Sequence, residues 1–318
     1  MIASGIMSHG AVNIGVEHMN KNILGILILT LVSVVWGFAF VVQSSSVEMI
    51  PTFTLNFLRS MFAVFALLLY KLVSNKLTKK KITANKDKKT LIKAGVISGI
   101  FLSIATNVQQ FGIAHTTAGK AGFITALYII FVPIIGLFLK KKVELNVWIS
   151  VILALVGFYL MTMFNSDASL TLGVGEGLIL LCALFFAFQI ITVDKYVEFV
   201  DGVYLSIIQF ATVAVFSFIP MVIEKPTFDN IIIALPNILY LGVVSSGVGY
   251  TLQIIGQKYV RPTVASLVMS LESVFSLIFG IIVLHESPQA HELIGCVLIF
   301  AGVIFTQVKF KIKGEELC

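Results

Sequence analysis

The stretch ASLVMSLESVFSLIFGIIVLHE, Ala265 to Glu286, is long enough to cross a bilayer and carries an acid, Glu272, near its middle. Placing a charged side chain at the centre of a membrane helix costs about 2.5 to 3.5 kcal/mol on insertion scales, so such acids face a bundle interior or a wet cavity. Glu272, Ser276 and Gly280 fall at helical i, i+4 and i+8 spacing and draw a narrow polar and small stripe down one face. That face requires a protein partner. A helix starting near Thr263 places Glu272 about 13 Å from its inner end, close to the midplane.

The rest of the chain has the same character. Of 318 residues, 58% are hydrophobic and 12% charged, and the mean hydropathy is +1.01, a balance no soluble domain shows. Apolar runs near 20 residues suit helices crossing a hydrocarbon core of about 30 Å, so the fold class is an all-α membrane protein. Cys182 and Cys296 lie inside apolar runs and Cys318 ends the chain, which gives no disulfide framework. The net charge of +6 comes from lysines in short loops beside apolar spans, and no nucleic-acid partner is expected. His285 and His291 are six apart, wrong for a metal pair on one helix, and GVGEG at 173–177 lacks the ending of a phosphate loop. No cofactor, metal or catalytic residue is predicted.

Ten apolar segments are read at about 23–43, 52–74, 91–114, 117–139, 145–163, 174–193, 202–223, 232–255, 263–284 and 290–308. Residues 1–22 are predicted to form a disordered cytoplasmic extension, with Met19 as an alternative start, and 309–318 a cytoplasmic tail. With the N-terminus inside, the inner loops hold all of the 22 basic residues except Arg59, Lys120 and Lys225. The expected location is therefore the cytoplasmic membrane, with both termini cytoplasmic. An offset of 144 residues pairs Gln109 with Gln253, Gly112 with Gly256, Leu127 with Leu271 and Gly136 with Gly280; after a one-residue gap, Ser150 meets Gly295 and Gly157 meets Gly302. At offset 152, Gly25 falls against Gly177 and Trp36 against Phe188. The spans thus read as two five-helix repeats, 23–163 and 174–308. An odd number of spans per repeat inverts the second copy in the membrane, as in secondary transporters.

Three runs carry a family likeness: VWGFAFVVQSSSVEMIPTFTLNFLRSMFAVFALL over the first two helices, AGKAGFITALYIIFVPIIGLFL over the fourth, and ASLVMSLESVFSLIFGIIVLHESPQAHELIGCVLIFAGVI over the last two. They resemble the drug/metabolite transporter superfamily, in its ten-helix EamA-type branch. The resemblance implies two inverted halves around a central cavity, helices 5 and 10 at the periphery, and alternating access. Ser273 stands where the family commonly has proline, which implies a straighter ninth helix.

The substrate-binding or coupling candidates are Glu272, Lys120, Tyr128, Gln109, Gln253, Asn107, Trp36 and Arg59. Glu272 suits a proton or a cationic group, or a structural hydrogen bond to a neighbouring helix. Lys120 either snorkels to the interface or holds an anionic group. Arg59, seven residues into the second helix, needs an acid, carbonyls or water; folding, gating and substrate contact are all open to it. Gln109 and Gln253 are repeat partners and the best cavity amides, and Asn107, Gln189 and Gln209 belong to the same polar set. Trp36, Tyr128 and Phe275 are expected as an aromatic wall. The ladder Ala118, Gly122, Ala126 reads as helix packing.

These readings converge on a secondary transporter for a small organic metabolite, amino acid or drug, with a cavity lined by helices 3, 4, 8 and 9 and parts of 1, 2, 6 and 7. The lipid bilayer and a small-molecule substrate are the expected partners, with proton coupling through Glu272. Two alternatives are a non-transporting membrane sensor or assembly factor, and an intramembrane enzyme; no soluble domain or paired catalytic set speaks for either.

Overall fold

The computed structural model describes residues 3–78, 87–115, 118–162, 164, 173–284 and 287–307, the side chains of 3–20, 118–120, 162 and 284 excepted. Helices dominate: α1 Ala3–Ser46, α2 Thr52–Thr78, α3 Lys88–Ile113, α4 Ala118–Ala126, α5 Tyr128–Phe138, α6 Leu145–Thr162, α7 Val174–Tyr196, α8 Gly202–Glu224 and α9 Phe228–Leu239, then a π-helix at Tyr240–Gly249, α10 Tyr250–Gln257, α11 Pro262–Met269, α12 Glu272–Leu284 and α13 Ala290–Phe305. Eight helical spans are long and apolar enough to cross a membrane, and two shorter apolar helices lie at Leu145–Met161 and Ala290–Phe305. Large apolar side chains such as Phe65, Phe138 and Ile219 remain exposed on the outside, as expected of a surface whose solvent is lipid. The N-terminal segment departs from expectation, since α1 begins at Ala3 and not near residue 23. Extending an existing helix needs no new nucleus, so the span propagates into its polar leader. In GVGEG, Gly173 is the N-cap of α7 and Glu176 lies in its first turn.

Local chemistry sets the ends. Asp87 caps α3 by accepting from the Thr90 amide at 3.0 Å and from its hydroxyl, and the Thr90 hydroxyl bond chiefly holds this carboxyl below the ordinary aspartate range. Asp201 caps α8 through the amides of Val203 and Tyr204. The Glu224 carboxylate accepts from Phe53 and Thr54 amides at 2.9 and 2.8 Å, placing negative charge at the positive end of α2.

The ninth span is broken where the sequence implied a straighter helix. Between α11 and α12, at Ser270 and Leu271, the Leu271 amide bonds back three residues to Val268 at 3.2 Å. Two hydroxyls explain the break without proline. Ser270 Oγ donates to the Leu267 carbonyl at 2.7 Å, and Ser33 Oγ, from α1, donates to the Val268 carbonyl at 2.9 Å. Side chains entering the ladder in this way loosen the regular bonding. The fourth span breaks at the corresponding place, Leu127, whose amide bonds to Ile124 at 3.1 Å. The residues that restart the two helices are the repeat partners Tyr128 and Glu272.

Packing obeys the same pairing. α6 lies against α13, α2 against α8, α3 against α7 and α8, and α1 against α12 and α10. A Cβ on Gly157 would stand 2.6 Å from the Gly295 carbonyl oxygen, one on Gly295 would strike the Gly157 carbonyl, and one on Gly302 would stand 2.9 Å from that of Ser150. Exchanging the repeats maps the first contact onto the last. A second pair is equally close. A Cβ on Gly99 would meet Thr212 Cβ at 2.6 Å and the Gln209 carbonyl at 2.7 Å; one on Gly242 would meet Phe62 Cβ at 2.7 Å and the Arg59 carbonyl at 2.8 Å. Gly99 and Gly242 are therefore twins, as are Gln209 and Arg59. Gly99 precedes Gln109 by ten residues, whereas Gly242 precedes its partner Gln253 by eleven. The extra residue falls in the π-helix, whose wider turn absorbs it.

Gly122 does not serve the packing role read for it. A Cβ there would meet nothing within 4 Å.

Candidate functional site

One narrow central cavity lies at the seam between the repeats. The break in the fourth span presents Tyr128 and the break in the ninth presents Glu272, so both project from restarting helices into the same space. Their side chains meet: Tyr128 Oη donates to Glu272 Oε1 at 3.3 Å. Glu272 is 5% exposed and has no cationic partner among the described residues.

The opposite pole is Arg59 of α2, 4% exposed. Its Nε donates to Ser246 Oγ at 3.1 Å and its Nη1 to Gln43 Oε1 at 3.4 Å. No carboxylate among the described residues reaches it. The π-helix also accepts from the indole of Trp36, whose Nε1 lies 3.3 Å from the Ser245 carbonyl oxygen. Gly249 makes this approach possible, because a Cβ there would stand 2.8 Å from that nitrogen. Trp36 packs on Tyr250 with ring centres 4.6 Å apart, and Tyr250 on Phe210 at 5.3 Å.

Amides form the floor between these poles. Gln253 Nε2 donates to Gln189 Oε1 at 3.1 Å, and Gln189 Nε2 to Gln209 Oε1 at 3.2 Å. Gln253 Oε1 is buried without a partner, a group that binding of a donor would satisfy. Its repeat partner Gln109 donates to Thr125 Oγ1 at 3.3 Å.

Six of the eight residues singled out from sequence line this cavity: Glu272, Tyr128, Gln109, Gln253, Trp36 and Arg59. Asn107 does not. It bonds to Asn56 at 3.0 Å and Ser217 at 3.1 Å and fastens α2, α3 and α8, since a buried amide on a helix serves a neighbouring helix as readily as a ligand. The side chain of Lys120 lies outside the described residues. Phe275 leaves the expected aromatic wall, as its Cβ carbon packs against Gly37 of α1, and Tyr250 takes that place. Gln43, Thr125, Phe186, Ser245 and Tyr250 also line the cavity. Tyr250, three residues before Gln253, and Thr125, three before Tyr128, are ones that helical spacing from a singled-out residue would have found.

Beyond the cavity, one mouth is charged. Lys141 pairs with Asp194 at 2.5 Å, Lys258 approaches Glu198 at 4.0 Å, and Arg261 pairs with Glu144. These bonds tie the α5–α6 and α10–α11 turns to one another and to the end of α7. They are exposed pairs of small individual worth.

The comparisons agree with this architecture. The EamA-like transporter family matches residues 23–163 and again 173–308. An uncharacterized transporter of Archaeoglobus fulgidus is 28% identical over 290 residues, covering 91% of this chain and 87% of that one. An uncharacterized transporter of Clostridium kluyveri is 27% identical, covering 76% and 78%, and the uncharacterized transporter YoaV of Bacillus subtilis is 23% identical, covering 92% and 98%. A solved structure described as "Crystal structure of protein" superposes with a TM-score of 0.73 over 89% of this chain and 96% of that chain, at 15% identity, a likeness of fold. With both repeats matched and a polar cavity at their seam, the chain belongs to the EamA-like transporter family.

Proposed function

We propose that the chain is a secondary transporter that moves a small organic solute across the cytoplasmic membrane by alternating access. The observation that carries this reading is the seam cavity, to which both repeats contribute side chains and in which Glu272 is the only acid among the described residues. The two shorter apolar helices, α6 and α13, complete ten crossings. Five crossings per repeat then invert the second half, and exchange of the repeats' packing between two arrangements opens the cavity to either side. Basic residues support the orientation: Lys141, Lys142, Lys258 and Arg261 gather at the charged mouth, which this reading makes cytoplasmic together with both termini. The three ion pairs there are the contacts that opening and closing of this mouth remakes. Residues 23–163 and 174–308 are the working halves.

Glu272 is the proton site in this reading, because the helix restart holds it at midspan beside a phenol that partners either protonation state. The test is uptake into proteoliposomes under an imposed pH gradient, with radiolabelled amino acids, organic acids and amines offered singly. The wild type should accumulate at least one of them, and Glu272→Gln should lose accumulation while keeping exchange. Full gradient-driven uptake by Glu272→Gln would defeat the coupling role. Absence of flux for every solute in the wild type would defeat the transporter reading.

A further inference from the structure

Arg59 poses a question that the transporter reading leaves open. Its guanidinium is buried in a membrane-spanning helix, offers five donors, and among the described residues has two neutral oxygens as partners, those of Ser246 and Gln43. A buried arginine held for folding is paired with an acid or with backbone carbonyls, because a lone charge in such surroundings is costly, and neither is bonded to Arg59 among the described residues. The acid that lines the same cavity, Glu272, forms no ion pair with it. Its repeat twin, Gln209, is neutral and lies off the cavity wall, so the twofold packing does not itself require a cation there.

The guanidinium is also deliberately aimed. Ser246 belongs to the π-helix, and with Nε on Ser246 and Nη1 on Gln43 the guanidinium keeps Nη2 uncommitted among the described residues. The rings of Trp36 and Tyr250, 4.6 Å apart, line the same cavity. A planar fork next to an aromatic wall is matched by a carboxylate on a flat apolar body.

Resting on the transporter reading, we propose that Arg59 is the anion subsite of the cavity and that the solute is a small organic carboxylate with a ring-sized apolar body. Two groups then divide the work: Arg59 holds the carboxylate, and Glu272 loads and releases the proton from the far pole. The carboxylate satisfies the fork when the cavity is filled.

A matched pair of probes tests this on the purified full-length protein: 3-phenylpropionate and its amide, which share shape and differ in charge. Thermal-shift titration of the wild type should give at least about tenfold tighter apparent binding of the acid, the difference expected for a charge-assisted, bidentate contact. Arg59→Gln should bring the two probes to parity, and Arg59→Lys should keep the preference for the acid at reduced strength. Equal binding of acid and amide by the wild type would overturn the proposal, as would stabilisation by phenethylamine alone or by none of the three. The wild-type comparison stands whether or not the variants fold. Acid that binds but is not carried into proteoliposomes would leave the subsite and remove transport; uptake of solutes without acid preference would do the reverse.

Discussion

α3 and the span formed by α9, the π-helix and α10 occupy twin positions, and the difference between them is one residue. Both anchor on the neighbouring helix through a glycine, Gly99 or Gly242, and both place a glutamine, Gln109 or Gln253, in the cavity. α3 covers the distance as regular α-helix. Its twin covers it with one residue more and widens into a π-helix. The anchors are thus kept and the surface between them is changed. Where α3 turns Phe101 and Leu102 elsewhere, the π-helix gives the cavity a carbonyl at Ser245 and a hydroxyl at Ser246, which hold Trp36 and Arg59. Symmetry builds the frame, and a local departure from it builds the chemistry.

The largest expected effect comes from deleting one residue from each twin. Removing Ile100 from α3 turns everything beyond it by about 100°, so Gly99 and Gln109 no longer meet their partners together, and we expect no monodisperse protein after extraction. Removing Val244 restores the ten-residue spacing that α3 already uses, so that variant should insert and purify as a folded protein while losing the Ser246 contact to Arg59. Size-exclusion profiles in mild detergent decide the matter. If the Val244 deletion aggregates like the Ile100 deletion, the π-helix is not an insertion between fixed anchors.

Smaller and equal effects are expected at the anchors. Gly99→Ala and Gly242→Ala each drive a Cβ into a backbone carbonyl, at 2.7 and 2.8 Å, and overpacking of that kind costs about 1 to 3 kcal/mol. Measured by thermal or denaturant unfolding in micelles, the two losses should agree closely. A loss at one glycine alone would break the pairing of α3–α8 with its twin, α2 against the π-helix.

Much of this was legible in the residues themselves, for physical reasons. A chain that must satisfy every backbone group in lipid is forced into helices, so apolar length alone located the spans. Polar side chains at midspan depth are costly, so Glu272, Arg59, Gln109 and Gln253 stood out on chemistry alone. The same argument over-reached at Asn107, because depth and polarity do not distinguish an amide that joins three helices from one that meets a solute. The breaks were hidden because serine hydroxyls, not proline, create the one at Ser270 and Leu271, and hydroxyl bonding to a carbonyl depends on which helix arrives alongside. The π-helix was hidden because a one-residue change of offset among glycine, valine and serine leaves no mark in hydropathy. Ser245 stayed unread with it, since its direction depends on that extra residue.

The smallest effect concerns the twins Gly122 and Ser266, where burial differs most. Ser266 is fully buried and donates to the Thr263 carbonyl at 2.9 Å, whereas a methyl group at Gly122 would meet open space. Sequence spacing had placed Gly122 in a packing ladder, and in that role Gly122→Ala would cost stability through overpacking. The observed geometry gives the opposite sign: with no clash, alanine removes the conformational freedom that glycine brings to a helix interior and should stabilise by at most about 0.5 to 1 kcal/mol. A thermal-unfolding series with Gly122→Ala, Gly122→Leu and the wild type reads this directly. Stability that is level or raised for alanine matches an open face on α4. A loss that grows from alanine to leucine would show instead that another helix covers Gly122 in the conformation populated in detergent, and the face left open here would then belong to only one of the two arrangements that alternating access requires.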